Sequence, residues 1–280
     1  MNYLKLILEV SDDHQEYLIA ELMDMDFYGF EQHDDRLIAY VEKPRFNDTN
    51  REVIEQMVAS LPGASFVELS DLAEENWNAT WEESIQPQTI GSFFVRPTWS
   101  VEQPPEGKTV LEIDPKMSFG TGYHATTRLM LHQIDRLNCE GKRVLDAGTG
   151  TGILAIAACK KGASRVIGFD FDPWSERNAN ENALINDVGS RLEIRLGGFE
   201  QVEDEDPFDL VLANINRNVI LEFLGDMIQK LNADGILSLS GLLSTDEERL
   251  REELEKYPVQ IAGLEREEEW MMLQIEKTKL

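Results

Sequence analysis

The residues Val144-Leu145-Asp146-Ala147-Gly148-Thr149-Gly150-Thr151-Gly152 run directly into an apolar stretch, Ile153–Lys161, that reads as a helix. A buried strand entering a glycine-rich turn and then a helix is the ligand-binding corner of doubly wound α/β proteins. Its glycines permit a tight turn and let a ligand lie against bare backbone. A dinucleotide fingerprint would read G-x-G-x-x-G, and no glycine completes it from Gly148 or Gly150. The motif here is D-x-G-x-G-x-G, with Asp146 two residues ahead of the first glycine. A pyrophosphate gains nothing from a neighbouring carboxylate, whereas a ligand bearing an ammonium and a sulfonium does. S-adenosylmethionine is such a ligand.

Asp170 closes the next strand-like run, Arg165–Asp170, about 20 residues beyond the glycines, where an acidic side chain accepts both ribose hydroxyls of an adenosine. NAD sites share that geometry. Asp172-Pro173 reads differently, as an N-cap followed by a first-turn proline. Asn214, at the end of the run Phe208–Ala213, stands where ligands meet the carboxyl ends of parallel strands. Its carbonyl suits a methyl-accepting amine or the methionine end of the cofactor. The segment Asp114–Thr127 combines Gly120 and Gly122 with Thr121, Thr126 and Thr127 ahead of a helix, the composition of a lid over a polar ligand. His124 is expected to be a hydrogen-bonding member of that lid rather than a base.

These groups need a scaffold, and the pattern supplies one. From Thr109 onward strands near Thr109–Ile113, Arg143–Ala147, Arg165–Asp170, Leu192–Leu196, Leu210–Ala213 and Gly235–Gly241 alternate with helices, which predicts a mostly parallel sheet covered on both faces. The helices fall near Tyr123–Leu137, Gly152–Lys161, Pro173–Asn186, Arg217–Leu231 and Thr245–Lys256, and an antiparallel pair, Val259–Arg266 with Glu269–Glu276, follows. Residues 1–70 read βαββαβ, a ferredoxin-like α+β domain. In it Ser11 is placed to cap a first helix that buries Leu18, Ile19, Leu22 and Met23. Residues 71–108 form a connector, with a helix over Asp71–Ile85 that carries Trp77 and Trp81 on one face.

The composition of the 280 residues is that of a soluble globular chain, 42% apolar and 28% charged. A formal charge of −27, from 26 basic and 53 acidic side chains, argues against a broad nucleic-acid surface and favours a small molecule or a basic protein partner. No apolar run approaches the roughly 20 residues of a membrane span. The first residues lack a signal peptide's cleavage pattern. The two cysteines, Cys139 and Cys159, have no metal-type spacing and suit a reducing, cytoplasmic setting; no metal site is expected.

The segments Asp114–Thr127, Val144–Gly152, Gly168–Pro173, Ala213–Ile215 and Leu239-Ser240-Gly241-Leu242-Leu243, with Trp77-Asn78-Ala79-Thr80-Trp81 in the connector, resemble the ribosomal-protein-L-eleven methyltransferase family (PrmA). Nearly the whole chain takes part, the first seventy residues most loosely. The resemblance implies a Rossmann-like class I methyltransferase domain over 109–280, ending in an antiparallel strand, behind a substrate-recognition domain and a linker. It implies methyl transfer from S-adenosylmethionine to lysine amines, and in some members the N-terminal amine, of that ribosomal protein. It places Thr127, Gly148, Asp170 and Asn214 on the cofactor-binding positions, with no nucleic acid or membrane as partner. This chain departs from the family in having Ala125 in the lid, Thr149 and Thr151 in the glycine turn, and Asn216-Arg217-Asn218 after Asn214-Ile215.

In-line transfer to a neutral amine needs positioning and desolvation more than a dedicated base, so no obligate base is assigned. Competing readings are a methyltransferase for RNA, DNA or a small molecule, an NAD-dependent oxidoreductase, and an adaptor with a silent pocket. Of the first, amino-adenine and glutamine methylating enzymes typically carry Asn-Pro-Pro-Tyr where Asn214-Ile215-Asn216-Arg217 stands, which disfavours that class.

Overall fold

A computed structural model describes residues 3–27, 29–71, 85–116 and 118–278. The expected connector helix with Trp77 and Trp81 falls almost wholly on 72–84, outside the described residues. The chain divides into two compact units, Met1–Thr80 and Trp81–Leu280.

In the first unit, β1 (Tyr3–Glu9), α1 (Asp12–Met23), β2 (Gly29–His33), β3 (Arg36–Glu42), α2 (Asp48–Ala59) and β4 (Ser65–Asp71) follow one another. The strands form an antiparallel sheet in the order β2-β3-β1-β4, the split βαββαβ arrangement. Alternation along β1 turns Leu4, Leu6 and Leu8 toward the helices, where Leu18, Leu22, Ile54 and Val58 close the core. Two local expectations change. Met23 is 59% exposed, because the buried stripe of α1 runs through Gln15, Leu18 and Leu22 and leaves residue 23 a further 100° round the helix. Ser11 occupies the N-cap but makes no side-chain cap bond.

The second unit is built on a seven-stranded sheet in the order β10-β9-β8-β11-β12-β14-β13. Its strands are β8 (Arg143–Ala147), β9 (Arg165–Asp170), β10 (Leu192–Leu196), β11 (Phe208–Asn214), β12 (Leu231–Leu243), β13 (Val259–Glu267) and β14 (Trp270–Lys277). Strands β8 to β12 run parallel, and β14 is antiparallel to both its neighbours. This is the doubly wound Rossmann-like arrangement with an antiparallel finish. Period-two alternation splits the core between the faces. Val144, Val166, Leu210 and Leu212 join α3 (Ala125–Arg136), α4 (Ile153–Lys160) and α5 (Pro173–Ile185). Leu145, Ile167, Val211 and Ala213 join α6 (Arg217–Gln229) and α7 (Glu247–Leu254).

One strand expected in this sheet lies elsewhere. β7 (Thr109–Glu112) pairs with β6 (Phe93–Arg96), which pairs with β5 (Gln88–Ile90) in a separate three-stranded sheet. The other side of the β7 segment is taken by asparagine side chains of the α5 segment instead of a strand. Asn186 accepts from the Glu112 N–H at 3.0 Å and donates to its carbonyl at 2.7 Å. Asn182 treats Asp114 likewise, at 3.0 and 3.2 Å. Ile90, Phe93 and Val95 enter the same core as α3 and α4, so residues 88–96 pack as part of this unit. Among the described residues no helix is long and apolar enough to cross a membrane, and no group of metal-ligating side chains is found.

Candidate active site

At the carboxyl end of β8 the chain turns through Gly148, Thr149, Gly150 and Thr151 before α4 begins. The Gly148 and Thr149 N–H groups donate to Phe169 O on β9, both at 3.0 Å, which folds the turn over the sheet edge. Gly150 has φ +56, and a Cβ built there would stand 2.3 Å from the Phe119 carbonyl oxygen, so only glycine fits. That carbonyl belongs to the lid. The Thr151 N–H donates to Phe119 O at 2.9 Å, and Thr151 Oγ1 donates to Gly120 O at 2.6 Å. Farther along, Asn178 and Asn182 of α5 donate to Asp114 O, and Asn182 also to Thr151 O. Lid and glycine turn are therefore one hydrogen-bonded structure.

Asp170 ends β9, and two backbone donors orient its carboxylate. The Gly150 N–H reaches Oδ2 at 3.0 Å and the Asp172 N–H reaches Oδ1 at 3.1 Å. Asp172 caps α5 through Oδ1 to the Trp174 N–H and accepts from Ser175 Oγ at 3.2 Å. Asn214 ends β11; its Nδ2 lies 3.4 Å from Thr127 Oγ1, and its Oδ1 is buried without a partner. Thr127 is fully buried on the first turn of α3 and touches the site through Asn214, while its neighbour Thr126 lines the wall. His124 is the N-cap of α3, its Nδ1 engaged with Thr126, and its ring stands edge-on to Trp270 at 4.6 Å and Phe119 at 5.4 Å.

Asp146 is placed differently from the expectation of a carboxylate beside the ligand. It is fully buried beneath the turn, where Oδ2 accepts from Thr149 Oγ1 at 2.7 Å and from the Ala155 N–H at 3.2 Å. Its side chain shares the face of Val144, toward α4, so it shapes the turn from below. Burial pushes its carboxyl up from 3.8 to about 6, opposed by the Thr149 and Ala155 hydrogen bonds and reinforced by the charge of Asp170. Because the folded pKa lies above the unfolded one, the folded state holds the extra proton between about pH 4 and 6. The stability contributed by that proton is full below about pH 4 and lost as pH rises through about 6, in total about 3 kcal/mol. Urea unfolding of the wild type and Asp146→Asn across this window should show the wild type losing that amount relative to the variant. A constant difference would overturn the assignment.

Together these elements wall a cavity of about 600 Å³. Its lining includes Ser118, Phe119, His124 and Thr126 from the lid side, Gly148 and Gly150 from the turn, and Asp170, Phe171, Asp172 and Ser175 beyond β9. Asn214, Ile215, Asn216, Val219, Gly241 and Trp270 complete it. Trp270, Ile215 and Phe171 carry no sequence signal of a place in the cavity; Trp270 arrives from β14, more than a hundred residues past the glycine turn, outside any local motif. Among the described residues, Asp170 and Asp172 are the carboxylates of the lining, and no lysine or arginine is in it. A pyrophosphate would find no cation there, whereas a sulfonium or ammonium finds a favourable field. The residues present thus fit S-adenosylmethionine: the fixed Asp170 carboxylate for ribose hydroxyls and bare backbone at Gly148 and Gly150.

Comparison with known proteins agrees with this geometry. The family model described as Ribosomal protein L11 methyltransferase (PrmA) matches residues 7–278. The Ribosomal protein L11 methyltransferase of Chlorobaculum parvum is 37% identical over 281 residues, covering 98% of this chain and 96% of its own. That of Porphyromonas gingivalis is 38% identical, covering 86% of this chain and 82% of its own. Among solved structures, the ribosomal protein L11 methylase from Lactobacillus delbrueckii subsp. bulgaricus superposes with a TM-score of 0.65 at 29% identity, over 70% of this chain and all of that one. With a match over nearly its full length and a site of the corresponding chemistry, the chain belongs to the ribosomal protein L11 methyltransferase family.

Proposed function

We propose that the chain transfers methyl groups from S-adenosylmethionine to lysine amines, and the N-terminal amine, of ribosomal protein L11. The observation that carries this reading is the cavity at the glycine turn, whose charged lining among the described residues is the carboxylates Asp170 and Asp172 and into whose wall Asn214 brings a buried, unpaired Oδ1. When bound, the cofactor supplies a methyl group activated by a positively charged sulfur. Asp170 holds the ribose end, and the glycine turn admits the ligand against the backbone.

A lysine ammonium, with an ordinary pKa of about 10.4, has no lone pair and must lose a proton before it reacts. Phe119, Ile215, Val219 and Trp270 give the cavity apolar walls. Desolvation between them disfavours the charged ammonium and lowers its pKa. Asn214 Oδ1 then accepts one amine N–H, which fixes the direction of the nitrogen lone pair. His124 Nδ1 is occupied by the cap of α3, so water takes the proton. Residues 1–70, within the first compact unit, serve as the substrate-recognition domain, and 71–108 connect it to the transferase domain of 109–280, the later part of that connector belonging to the second compact unit. The acidic chain suits a basic protein acceptor, with no direct nucleic-acid contact, and the reaction belongs in the cytoplasm.

Incubation of the purified chain with radiolabelled S-adenosylmethionine and ribosomal protein L11 tests this directly. The expected result is protease-sensitive, nuclease-resistant label, with lysine-containing peptides heavier by whole methyl groups. Asn214→Ala should lower kcat/KM by about 10- to 100-fold, the worth of one hydrogen bond to a group that becomes charged. Label confined to RNA, or none in L11 despite cofactor binding, would overturn the reading.

A further inference from the structure

The short loop Asn214-Ile215-Asn216 is held on two sides by close backbone approach. A Cβ on Gly148 would lie 2.3 Å from Ile215 Cγ2, and one on Gly241, with φ +84, would lie 2.2 Å from Ile215 O. Ile215 therefore fills a slot between the turn after β8 and the end of β12. Asn216 Oδ1 accepts from the Val219 N–H at 3.1 Å and starts α6. The next residue, Arg217, puts a cation at the first position of a helix, where the helix dipole disfavours it.

What holds it there is Asp246, 29 residues away, whose Oδ1 is 2.7 Å from Arg217 Nη1. Asp246 is buried, 7% exposed, and its Oδ2 accepts from the Leu243 N–H at 3.0 Å. One carboxylate thus ties the start of α6 to the turn that follows Gly241, and draws together the two sides of the slot. Removing Arg217 would leave a buried carboxylate without its cation. We propose that Arg217 and Asp246 are a positioning pair: they set the Asn214 loop for the acceptor amine without touching substrate or cofactor. This rests on the function proposed above, and it assigns a role to Arg217 of the polar stretch Asn216-Arg217-Asn218.

The test compares Asp246→Asn, Arg217→Met, the double variant and Arg217→Lys as full chains. Both single charge removals should lower kcat on L11 by about tenfold or more, with the dissociation constant for S-adenosylmethionine held within about twofold. The double variant should be no worse than the poorer single one, and Arg217→Lys should recover part of the loss. Hydrogen exchange gives a readout independent of turnover: amides of 214–219 should exchange about tenfold faster, and those of 148–152 as in the wild type. Unchanged kcat and exchange in folded Arg217→Met, or exchange raised evenly across the unit, would overturn the proposal. If the wild type fails to methylate L11, the functional reading falls, and the exchange pattern alone still decides whether the pair positions the loop.

Discussion

Gly150→Ala is expected to weaken cofactor binding by up to about a hundredfold. The added methyl group meets the Phe119 carbonyl at 2.3 Å, and that oxygen is backbone already hydrogen-bonded to the Thr151 N–H, so no side chain can swing aside. Left-handed backbone costs a non-glycine residue about 1–2 kcal/mol. Forcing the lid away adds about 1–3 kcal/mol of overpacking. The backbone strain is carried with or without ligand and lowers Tm, whereas the displaced lid weakens cofactor affinity by up to about a hundredfold. Gly107→Ala is the matched control, because Gly107 has φ +77 and nothing within 4 Å of a built Cβ. It should show the strain alone, with cofactor affinity unchanged by calorimetry. Equal affinity in the two variants would refute the steric account.

Asp170→Asn is expected to be nearly as damaging as Asp170→Ala, although it is almost isosteric. Both carboxylate oxygens accept from backbone N–H groups, of Gly150 and Asp172. An amide has one acceptor oxygen, so its NH₂ must face one of those donors or turn into the cavity. Charge-assisted bonds contribute about 1.5–3 kcal/mol each, which predicts affinity for S-adenosylmethionine lowered about 10²- to 10³-fold in either variant. Calorimetric titration decides it; retention of wild-type affinity by Asp170→Asn would mean that the carboxylate does not hold the ribose.

Why these two residues were legible in the sequence, and others were not, follows from range. Gly150 and Asp170 belong to strand–turn–helix segments whose hydrophobic periodicity and glycines act over a few residues. The parallel sheet, the antiparallel finish and the aspartate cap of α5 come from the same scale. The place of Asp146 next to the glycines suggests that it faces a ligand; strand alternation, which sets it on the Val144 side, is what decides its direction. Thr109–Glu112 has the sequence of a sheet strand, and only the asparagines of the α5 segment, some seventy residues on, take one of its edges. Trp270 and the Arg217–Asp246 pair are products of tertiary contact alone.

The place of β14 bears on how the chain comes to be made. It follows β13 in the chain, yet it lies inside the sheet between β12 and β13, and Met271, Leu273 and Ile275 are fully buried. Until the ribosome has released residues 270–277, β12 has an open edge and β13 no partner at all. Chains emerge at about 5–20 residues per second, and unpaired strand edges are aggregation-prone in the interval. Trp270, on that same strand, also completes the cavity wall. A nascent chain can therefore form the glycine turn early, but it closes the site only once β14 has threaded into place.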